Sequence, residues 1–179
     1  MKQSSVISCL LVGLFLTGLG TWAKSYGAEY FIINANSGKC LDASNRYSGS
    51  PVTQWTCHGG DNQRWREGED VIDPGTGGSH LIQLIDTKSG MCLDIRGGSK
   101  NDGAQLQIYP CKDGVSSTVY NQHFVTNSIT SSSKTMMIKA VHSGKCFDVP
   151  YASQSNGIGI QQYTCHGGLN QQWVLVPAF

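Results

Sequence analysis

The chain carries the hexapeptide Ser37-Gly38-Lys39-Cys40-Leu41-Asp42, which returns twice with small changes. The second copy reads Ser89-Gly90-Met91-Cys92-Leu93-Asp94, and the third reads Ser143-Gly144-Lys145-Cys146-Phe147-Asp148. The cysteines of the three copies follow one another at steps of 52 and 54 residues. Recurrence at a nearly fixed period of this length is the sequence signature of an internal repeat. The chain is therefore interpreted as three like units, at about residues 29–78, 79–132 and 133–179.

Two further motifs recur in step with the hexapeptide. One ends in a second cysteine and reads Gln54-Trp55-Thr56-Cys57, Gln107-Ile108-Tyr109-Pro110-Cys111 and Gln161-Gln162-Tyr163-Thr164-Cys165. The other closes each unit and reads Asn62-Gln63-Arg64-Trp65, Asn121-Gln122-His123-Phe124 and Asn170-Gln171-Gln172-Trp173. Because three motifs share one period, chance similarity does not explain their recurrence.

The repeat also predicts how the cysteines pair. The six cysteines of the repeated motifs allow several alternative pairings. Three like units should each close on themselves, which selects Cys40 with Cys57, Cys92 with Cys111, and Cys146 with Cys165. Each closed loop of this length stabilises the folded state by about 3 kcal/mol in the chain-entropy account.

Each unit is predicted to consist of short β-strands. β-rich runs open the units at residues 30–33, 80–85 and 136–141. Turn dipeptides follow at Ser48-Gly49, Asp102-Gly103 and Asn156-Gly157. Loops rich in Gly, Ser and Asp are expected at residues 68–79 and 126–134, and no stretch keeps a helical period. About four strands in each of three units predict an all-β domain with threefold pseudo-symmetry.

Strand geometry predicts that an aspartate and an aromatic side chain share one face of each unit. Side chains alternate between faces along a strand, so Asp42 lies on the side of Cys40 and Trp55 on the side of Cys57. If the disulfide joins two antiparallel strands, Asp42 and Trp55 become neighbours across them. The same reasoning pairs Asp94 with Tyr109 and Asp148 with Tyr163, and it adds Gln107 and Gln161 to that face.

Such a combination of side chains suits a sugar. An aromatic ring can stack on the weakly apolar face of a pyranose, while an ionised carboxylate accepts charge-assisted hydrogen bonds from its hydroxyls. Side-chain amides supply further donors and acceptors. A mismatched hydroxyl leaves a polar group unpaired at a cost of about 1–3 kcal/mol, which provides selectivity. The sequence therefore predicts up to three carbohydrate-binding clefts.

With these motifs, the sequence resembles the ricin B-type lectin family over about residues 30–177. The resemblance implies a β-trefoil fold and a set of sugar-binding side chains. The implied aspartates are Asp42, Asp94 and Asp148, and the implied stacking aromatics are Trp55, Tyr109 and Tyr163. The implied amides are Gln107 and Gln161, the asparagines Asn62, Asn121 and Asn170, and the supporting glutamines Gln63, Gln122 and Gln171. Galactose-type ligands are this family's common choice, although relatives that bind xylan, arabinose or mannose share the motif.

The three units depart from the family pattern to different degrees. In the first unit Thr53 stands at the glutamine position, and Gln54 lies one residue away and so on the opposite face. In the second unit a longer segment separates Cys111 from Asn121, and the closing aromatic is Phe124. The third unit departs least. We therefore expect the third site to be the best, the first to follow, and the second to be the poorest.

Several of these residues also have a plain structural interpretation. The closing aromatics Trp65, Phe124 and Trp173 are predicted to lie in the core. The aspartates could cap turns, and the aromatics before the second cysteines could be ordinary sheet residues. His58 and His166 follow cysteines in Gly-rich turns, where a contact with the rim of a sugar stays open and zinc ligation is not expected. The acidic run at residues 67–73 is predicted to be a solvated loop, with a calcium role left open.

Residues 1–23 have the layout of a secretory signal peptide. A short polar start with Lys2 precedes an apolar stretch, and small residues precede a cut after Ala23. A cut after Ala28 is a weaker alternative because it places Tyr26 at the third position back. The apolar stretch is short and Gly-rich for a membrane span. We expect a secreted protein, or a periplasmic one in a bacterium, with its disulfides formed.

The charge of the chain excludes some partners. The sequence contains 13 Lys and Arg and 12 Asp and Glu, and removal of residues 1–23 takes away Lys2 and leaves the two signs equal. A neutral chain without a basic cluster favours neither nucleic acid nor an anionic membrane. The expected partners are glycans on a cell surface or a polysaccharide. No cofactor, metal or membrane insertion is expected.

Catalysis is not expected either. A glycosidase needs two unlike carboxylates in one site, whereas the repeat disperses three equivalent aspartates. No Ser-His-Asp or Cys-His signature is present, and the repeat cysteines are expected to be in disulfides. The leading hypothesis is a free-standing secreted lectin. The alternative is a cell-binding or targeting subunit of a secreted toxin-like or enzyme complex, with weak or vestigial sugar sites.

Overall fold

The protein is described by a computed structural model that covers residues 28–73, 79–114, 116, 118–128 and 134–178. The predicted signal peptide, residues 1–23, and its cleavage site lie outside the described residues. The proposed unit boundary near residue 78 lies outside them as well, and so does the boundary near residue 132.

The described residues form thirteen antiparallel strands. The first unit contributes β1 (Glu29–Asn34), β2 (Cys40–Asp42), β3 (Thr53–Trp55) and β4 (Trp65–Asp73). The second contributes β5 (Ser79–Asp86), β6 (Cys92–Ile95), β7 (Leu106–Tyr109) and β8 (Phe124–Ser128). The third contributes β9 (Met136–Ala140), β10 (Cys146–Asp148), β11 (Ile158–Gly159), β12 (Gln161–Tyr163) and β13 (Trp173–Pro177). Short 3-10 turns lie at Asp61–Gln63, Arg96–Gly98, Tyr120–Gln122, Pro150–Ala152 and Leu169–Gln171.

Six of these strands close into a barrel. β1 pairs with β13, β13 with β9, β9 with β8, β8 with β5, β5 with β4, and β4 with β1, all antiparallel. Each unit gives its first and last strands to this barrel and folds its middle strands into a hairpin outside it, β2 with β3, β6 with β7, and β10 with β12. This is a β-trefoil, so the predicted fold class is confirmed.

The closing aromatics of the units lie in the core, as predicted. Trp65, Phe124 and Trp173 are fully buried. Both indoles find a partner, because Trp65 Nε1 donates to the carbonyl of Leu41 at 3.0 Å and Trp173 Nε1 donates to the carbonyl of Phe147 at 3.3 Å. Satisfied N–H groups allow large aromatics to be buried without an unpaired donor. In the first and third units, this hydrogen bond therefore joins the last barrel strand to the first strand of the hairpin.

Two predicted loops are partly strand. β4 continues to Asp73 and β5 begins at Ser79, so much of the acidic run is the edge of a long hairpin and the prediction of a solvated loop was wrong. Likewise β8 extends to Ser128, which pairs with Met136. Backbone pairing across the ladder satisfies the N–H and C=O groups whatever the side chains are, so polar composition did not exclude a strand. A register shift between Glu67 and Asp70 accommodates the irregular sequence.

The predicted turn dipeptides each reach onto the hairpin of another unit. The N–H of Gly49 donates to the carbonyl of Ile108, that of Gly103 to Gln162, and that of Gly157 to Gln54, at 2.8–2.9 Å. The three glycines have φ of 86°, 84° and 78°, a left-handed conformation that favours glycine. The first unit therefore borders the hairpin of the second, the second that of the third, and the third that of the first.

Three residues that follow these turns join the three units through backbone hydrogen bonds. Val52 donates its N–H to the carbonyl of Leu106, Leu106 donates to Ile160, and Ile160 donates back to Val52, at 3.0, 2.8 and 2.9 Å. All three side chains are fully buried. The three hairpins thus meet in a closed triangle of backbone hydrogen bonds.

Candidate functional site

The three disulfides join the predicted cysteines. Cys40 is bonded to Cys57, Cys92 to Cys111 and Cys146 to Cys165, with Cα–Cα distances of 5.1, 4.9 and 5.1 Å. Each disulfide closes the hairpin of one unit, and the aspartate and aromatic of the motifs lie on the face that carries it.

The aspartate and the aromatic are diagonal neighbours rather than the direct partners that the sequence predicted. Tyr163 stands opposite Cys146, and Asp148 stands opposite Gln161. The first and second units have the same register, with Asp42 opposite Thr53 and Asp94 opposite Gln107. The disulfide links residues that are offset along the ladder, so alternation gave the shared face correctly but not the register, which alternation does not determine.

In the third unit, side-chain amides hold the aspartate in one orientation. Asp148 is almost fully buried, and its Oδ2 accepts from Asn170 Nδ2 at 2.8 Å and from Gln171 Nε2 at 3.0 Å. Its Oδ1 accepts from Gln161 Nε2 at 2.9 Å. A carboxylate has about four acceptor positions, so roughly one remains open on Oδ1. The amides therefore orient the carboxylate and leave it able to accept from a ligand.

These side chains line a cleft of about 530 Å³ in the third unit. Tyr163 is 41% exposed at its edge, and the imidazole of His166 approaches Asp148 Oδ2 to 3.5 Å. The acceptor oxygens Gln161 Oε1 and Asn170 Oδ1 receive no hydrogen bond from the residues that the structure describes. The cleft thus combines an accessible aromatic face with several oriented acceptors, in the volume range of small-molecule sites.

The second unit completes the wall of this cleft through its turn. Asp102 and Gly103 line it, although the sequence motifs did not assign them to a site. Asp102 Oδ1 accepts from Lys145 Nζ at 2.6 Å and from the N–H of Thr164 at 2.7 Å. The hydrogen bond from Lys145 lowers the pKa of the Asp102 carboxyl below its ordinary value. The hydrogen bonds from Lys145 and Thr164 attach this turn to the hairpin of the third unit.

In the second cleft the aspartate has the same amide partners, but the amide oxygens already accept hydrogen bonds from other side chains. Asp94 Oδ1 accepts from Gln107 Nε2 at 2.9 Å, and Oδ2 accepts from Asn121 and Gln122 at 2.8 and 2.9 Å. Arg96 Nε donates to Gln107 Oε1 at 3.1 Å, and Lys112 Nζ donates to Asn121 Oδ1 at 3.0 Å. The cleft has a volume of about 290 Å³, and Tyr109 at its edge is 40% exposed.

The corresponding site of the first unit, called the first cleft below, lacks the glutamine, as the sequence indicated. Asp42 Oδ2 accepts from Asn62 and Gln63 at 2.8 and 2.9 Å, and the hydroxyl of Ser44 donates to Oδ1. Thr53 Oγ1, at the glutamine position, is buried without a hydrogen bond to the described residues. Trp55 remains 41% exposed.

Gln54 points to the opposite face, as expected. Its Nε2 donates to the carbonyls of Ser153 and Ser155 in the third unit, at 2.8 and 2.9 Å. Gln54 therefore supports the boundary between two units rather than the cleft.

The histidines that follow the second cysteines lie beside the aspartates. His58 Nε2 is 3.7 Å from Asp42 Oδ2, and His166 holds the matching position in the third unit. The second unit has Lys112 there, 3.8 Å from Asp94 Oδ2. Within the described ranges, no group of three or more His, Cys, Asp or Glu side chains is placed to hold a metal ion.

Besides the turn of the second unit, a loop that the sequence motifs did not point to lines the third cleft. Pro150, Tyr151 and Ala152 form part of its wall. A signal was present in the sequence, because the matching positions after Cys92 are Gly97 and Gly98, whereas the third unit has an aromatic at the first of them. Arg96 and Lys112 were also missed as donors to the amide oxygens of the second cleft, because their contacts depend on side-chain placement.

The fold and the repeated clefts define the class of protein as a β-trefoil of the lectin type. Residues 19–109 match the family described as ricin-type beta-trefoil lectin domain-like, and residues 80–178 match the ricin-type beta-trefoil lectin domain. The chain belongs to this lectin-domain family, and the resemblance seen in the motifs is confirmed. The match extends through all three units.

Solved structures support the same assignment. The designed threefold-symmetric protein ThreeFoil is 36% identical with a TM-score of 0.70, over 83% of this chain and 97% of that one. 1,3Gal43A, an exo-beta-1,3-galactanase from Clostridium thermocellum, is 33% identical with a TM-score of 0.72, over 84% of this chain and 30% of that enzyme. The ricin B-like lectin of Macrolepiota procera, solved with lactose, shares the fold at 22% identity and a TM-score of 0.61, over 82% and 93% of the two chains.

The family consists of carbohydrate-binding domains, and the disulfides are typical of extracellular proteins. Among the described residues, no helix has the length and apolar character required to cross a membrane.

Proposed function

We propose that the protein is a secreted, non-catalytic lectin that binds galactose-type sugars, with the third cleft as its main site. One observation carries the proposal. In the third cleft the buried Asp148, fixed by three amides, lies on the same face as the exposed ring of Tyr163 and beside unoccupied acceptor oxygens. A pyranose can stack on such a ring while its hydroxyls donate to the acceptors.

The first cleft is proposed as the second site and the second cleft as the poorest. The first cleft keeps Asp42, Asn62 and Trp55 but has lost the amide donor opposite the aspartate. In the second cleft, Arg96 and Lys112 already donate to the amide oxygens that a sugar would use. Weak sites on one rigid body gain apparent affinity for multivalent glycans, so a second working cleft increases retention on a dense surface.

The preference for galactosides is supported by two similar proteins. The Macrolepiota procera lectin was solved with lactose, which contains galactose, and the Clostridium thermocellum enzyme acts on beta-1,3-galactan. Secretion is supported by the three disulfides together with the layout of residues 1–23.

The proposal is tested with a glycan array and with retention of the protein on immobilised lactose and its elution by free galactose. Replacing both Asp148 and Asp42 by Asn should weaken binding by about tenfold to a hundredfold, since a hydrogen bond to a charged group contributes about 1.5–3 kcal/mol. Asp61→Asn makes the same chemical change at an exposed position outside the clefts and should leave retention unchanged.

Two further measurements separate loss of binding from loss of folding. The thermal unfolding midpoint of each variant shows whether it is folded. Tyr163→Ala removes an exposed ring that the core does not need, so a loss of retention in this variant reports on binding. Unchanged retention of the folded double aspartate variant would overturn the assignment of these sites. Release of sugar from a panel of polysaccharides would overturn the non-catalytic assignment.

The second candidate function is a targeting subunit of a larger secreted complex. It is favoured by the galactanase, in which this chain matches only 30% of the length. Stoichiometric co-purification of another protein, together with a silent glycan array, would support this candidate over the free-standing lectin.

A further inference from the structure

We propose that Tyr151 forms a second aromatic platform in the third cleft, so that this cleft binds at least two linked sugar residues. The inference rests on the proposed function of the cleft and concerns its substrate range. Tyr151 lines the same cleft as Tyr163, and its side chain is fully exposed, at 101% of its reference area. A large aromatic ring left wholly in water has no packing role in the fold.

The backbone at this position is one that tyrosine rarely adopts. Tyr151 has φ of 55° and Ala152 has φ of 50°, and they are the two non-glycine residues with positive φ among the described residues. The matching residues of the second unit are Gly97 and Gly98, with φ of 66° and 61°. Glycine takes this conformation without steric conflict, whereas a bulky side chain does so at a cost that is most often met at functional sites.

The loop that carries Tyr151 is fixed rather than loose. Pro150 restricts the backbone before it, and the carbonyl of Ala152 accepts from Asn36 Nδ2 of the first unit at 2.9 Å. One residue further along, the carbonyl of Ser153 accepts from Gln54 Nε2. These bonds hold the backbone that carries Tyr151 in place before a ligand arrives, which reduces the entropy lost by the loop on binding.

The third cleft is larger than the second, as the binding of a second sugar residue requires. The third cleft, with Tyr151, measures about 530 Å³, whereas the second cleft, with glycines at the matching positions, measures about 290 Å³. Asp148 and Tyr163 hold the first sugar residue in the third cleft. Tyr151 then stacks on the residue linked to it.

The experiment compares monosaccharides with disaccharides by titration calorimetry on the mature chain. A Trp55→Ala/Tyr109→Ala background removes the platforms of the other clefts, so that the third cleft is measured alone. The ligand pairs are galactose with lactose, xylose with xylobiose, and mannose with mannobiose. We expect one disaccharide to bind about tenfold more tightly than its monosaccharide, as befits one additional aromatic contact.

Tyr151→Gly should reduce that preference to about twofold or less and leave monosaccharide affinity unchanged, because glycine keeps the loop conformation. Tyr47→Gly removes another exposed tyrosine outside the clefts and should retain the full preference. A preference that survives in Tyr151→Gly, or equal affinity for both members of the bound pair, overturns this inference and leaves the lectin proposal standing. Failure of the unmutated chain to bind any of the six sugars overturns both.

Discussion

The second and third clefts hold their aspartate with the same set of hydrogen bonds but differ in the side chains around it. In both, an almost fully buried aspartate accepts from a glutamine on one oxygen and from an asparagine and a glutamine on the other. The distances agree within about a tenth of an ångström, which is within the spread of ordinary hydrogen bonds. These hydrogen bonds around the aspartate are therefore part of the fold in both units.

The contents of the two clefts differ where a ligand would bind. In the second, Arg96 and Lys112 donate to the oxygens of Gln107 and Asn121. In the third, the matching positions are Pro150 and His166, and the amide oxygens accept nothing from the described residues. The aspartate that recurs in each unit is therefore not by itself a sign of binding. Its amide partners build the hairpin, and the residues around them decide whether a sugar can use it.

The largest expected effect separates these two roles of the aspartate. Asp94→Asn and Asp148→Asn should each lower the free energy of unfolding by about 1.5–3 kcal/mol, since each removes a buried charged acceptor shared by three amides. Only Asp148→Asn should also weaken sugar binding, by about tenfold or more. Chemical denaturation gives the first quantity and titration calorimetry the second. Equal losses of affinity in the two variants would contradict the difference between the clefts.

A smaller effect is expected from opening the second cleft. Arg96→Ala with Lys112→His frees the oxygens of Gln107 and Asn121 and keeps the backbone N–H groups that bond Gln105 and Gln122. Each freed acceptor contributes about 0.5–1.5 kcal/mol when a hydroxyl uses it, so affinity at this cleft should rise by about tenfold.

The gain in the second cleft is measured as an additional site in calorimetric titrations with a disaccharide. Lys88→His changes an exposed lysine outside the repeat clefts and should leave the number of sites unaltered. If the double variant binds no more sugar than the parent, the occupied acceptors are not what limits the second cleft.

The smallest expected effect concerns the loop that distinguishes the two clefts. Tyr151→Gly should raise the free energy of unfolding by about 1 kcal/mol, and Gly97→Tyr should lower it by about the same amount, because left-handed backbone disfavours a side chain. An added Cβ at Gly97 meets no atom within 4 Å, so the Cβ itself is not crowded. Denaturant midpoints at constant slope provide the measurement. Shifts of the same sign in both variants would show that backbone strain is not responsible.

The repeat, the disulfides and the shared face could be predicted because each depends on short-range regularities. Motif spacing predicted the pairing of Cys146 with Cys165, and alternation along the strand placed Asp148 and Tyr163 on one side. The direct pairing of these two residues was wrong because register depends on the loop between the strands. Closure of the barrel also extended β4 and β8 into segments whose composition favours loops.

Contacts between units could not be predicted from the sequence. Asp102 lies in the third cleft because the second unit folds against the hairpin of the third. Arg96 and Lys112 donate to amide oxygens of the second cleft because of where their long side chains end, and sequence spacing carries no information about that. The φ of Tyr151 became visible only in the backbone, although comparison with Gly97 would have drawn attention to the position.

The triangle of hydrogen bonds among Val52, Leu106 and Ile160 has a consequence for how such a protein can arise and be divided. Each corner donates to one unit and accepts from another, so two units leave the circuit open, with a buried donor and a buried acceptor unsatisfied. A single ancestral unit could satisfy the circuit only as a trimer of identical chains. Fusion of three copies would convert that assembly into one molecule, and later divergence could then specialise one cleft while all three units continued to hold the ring closed.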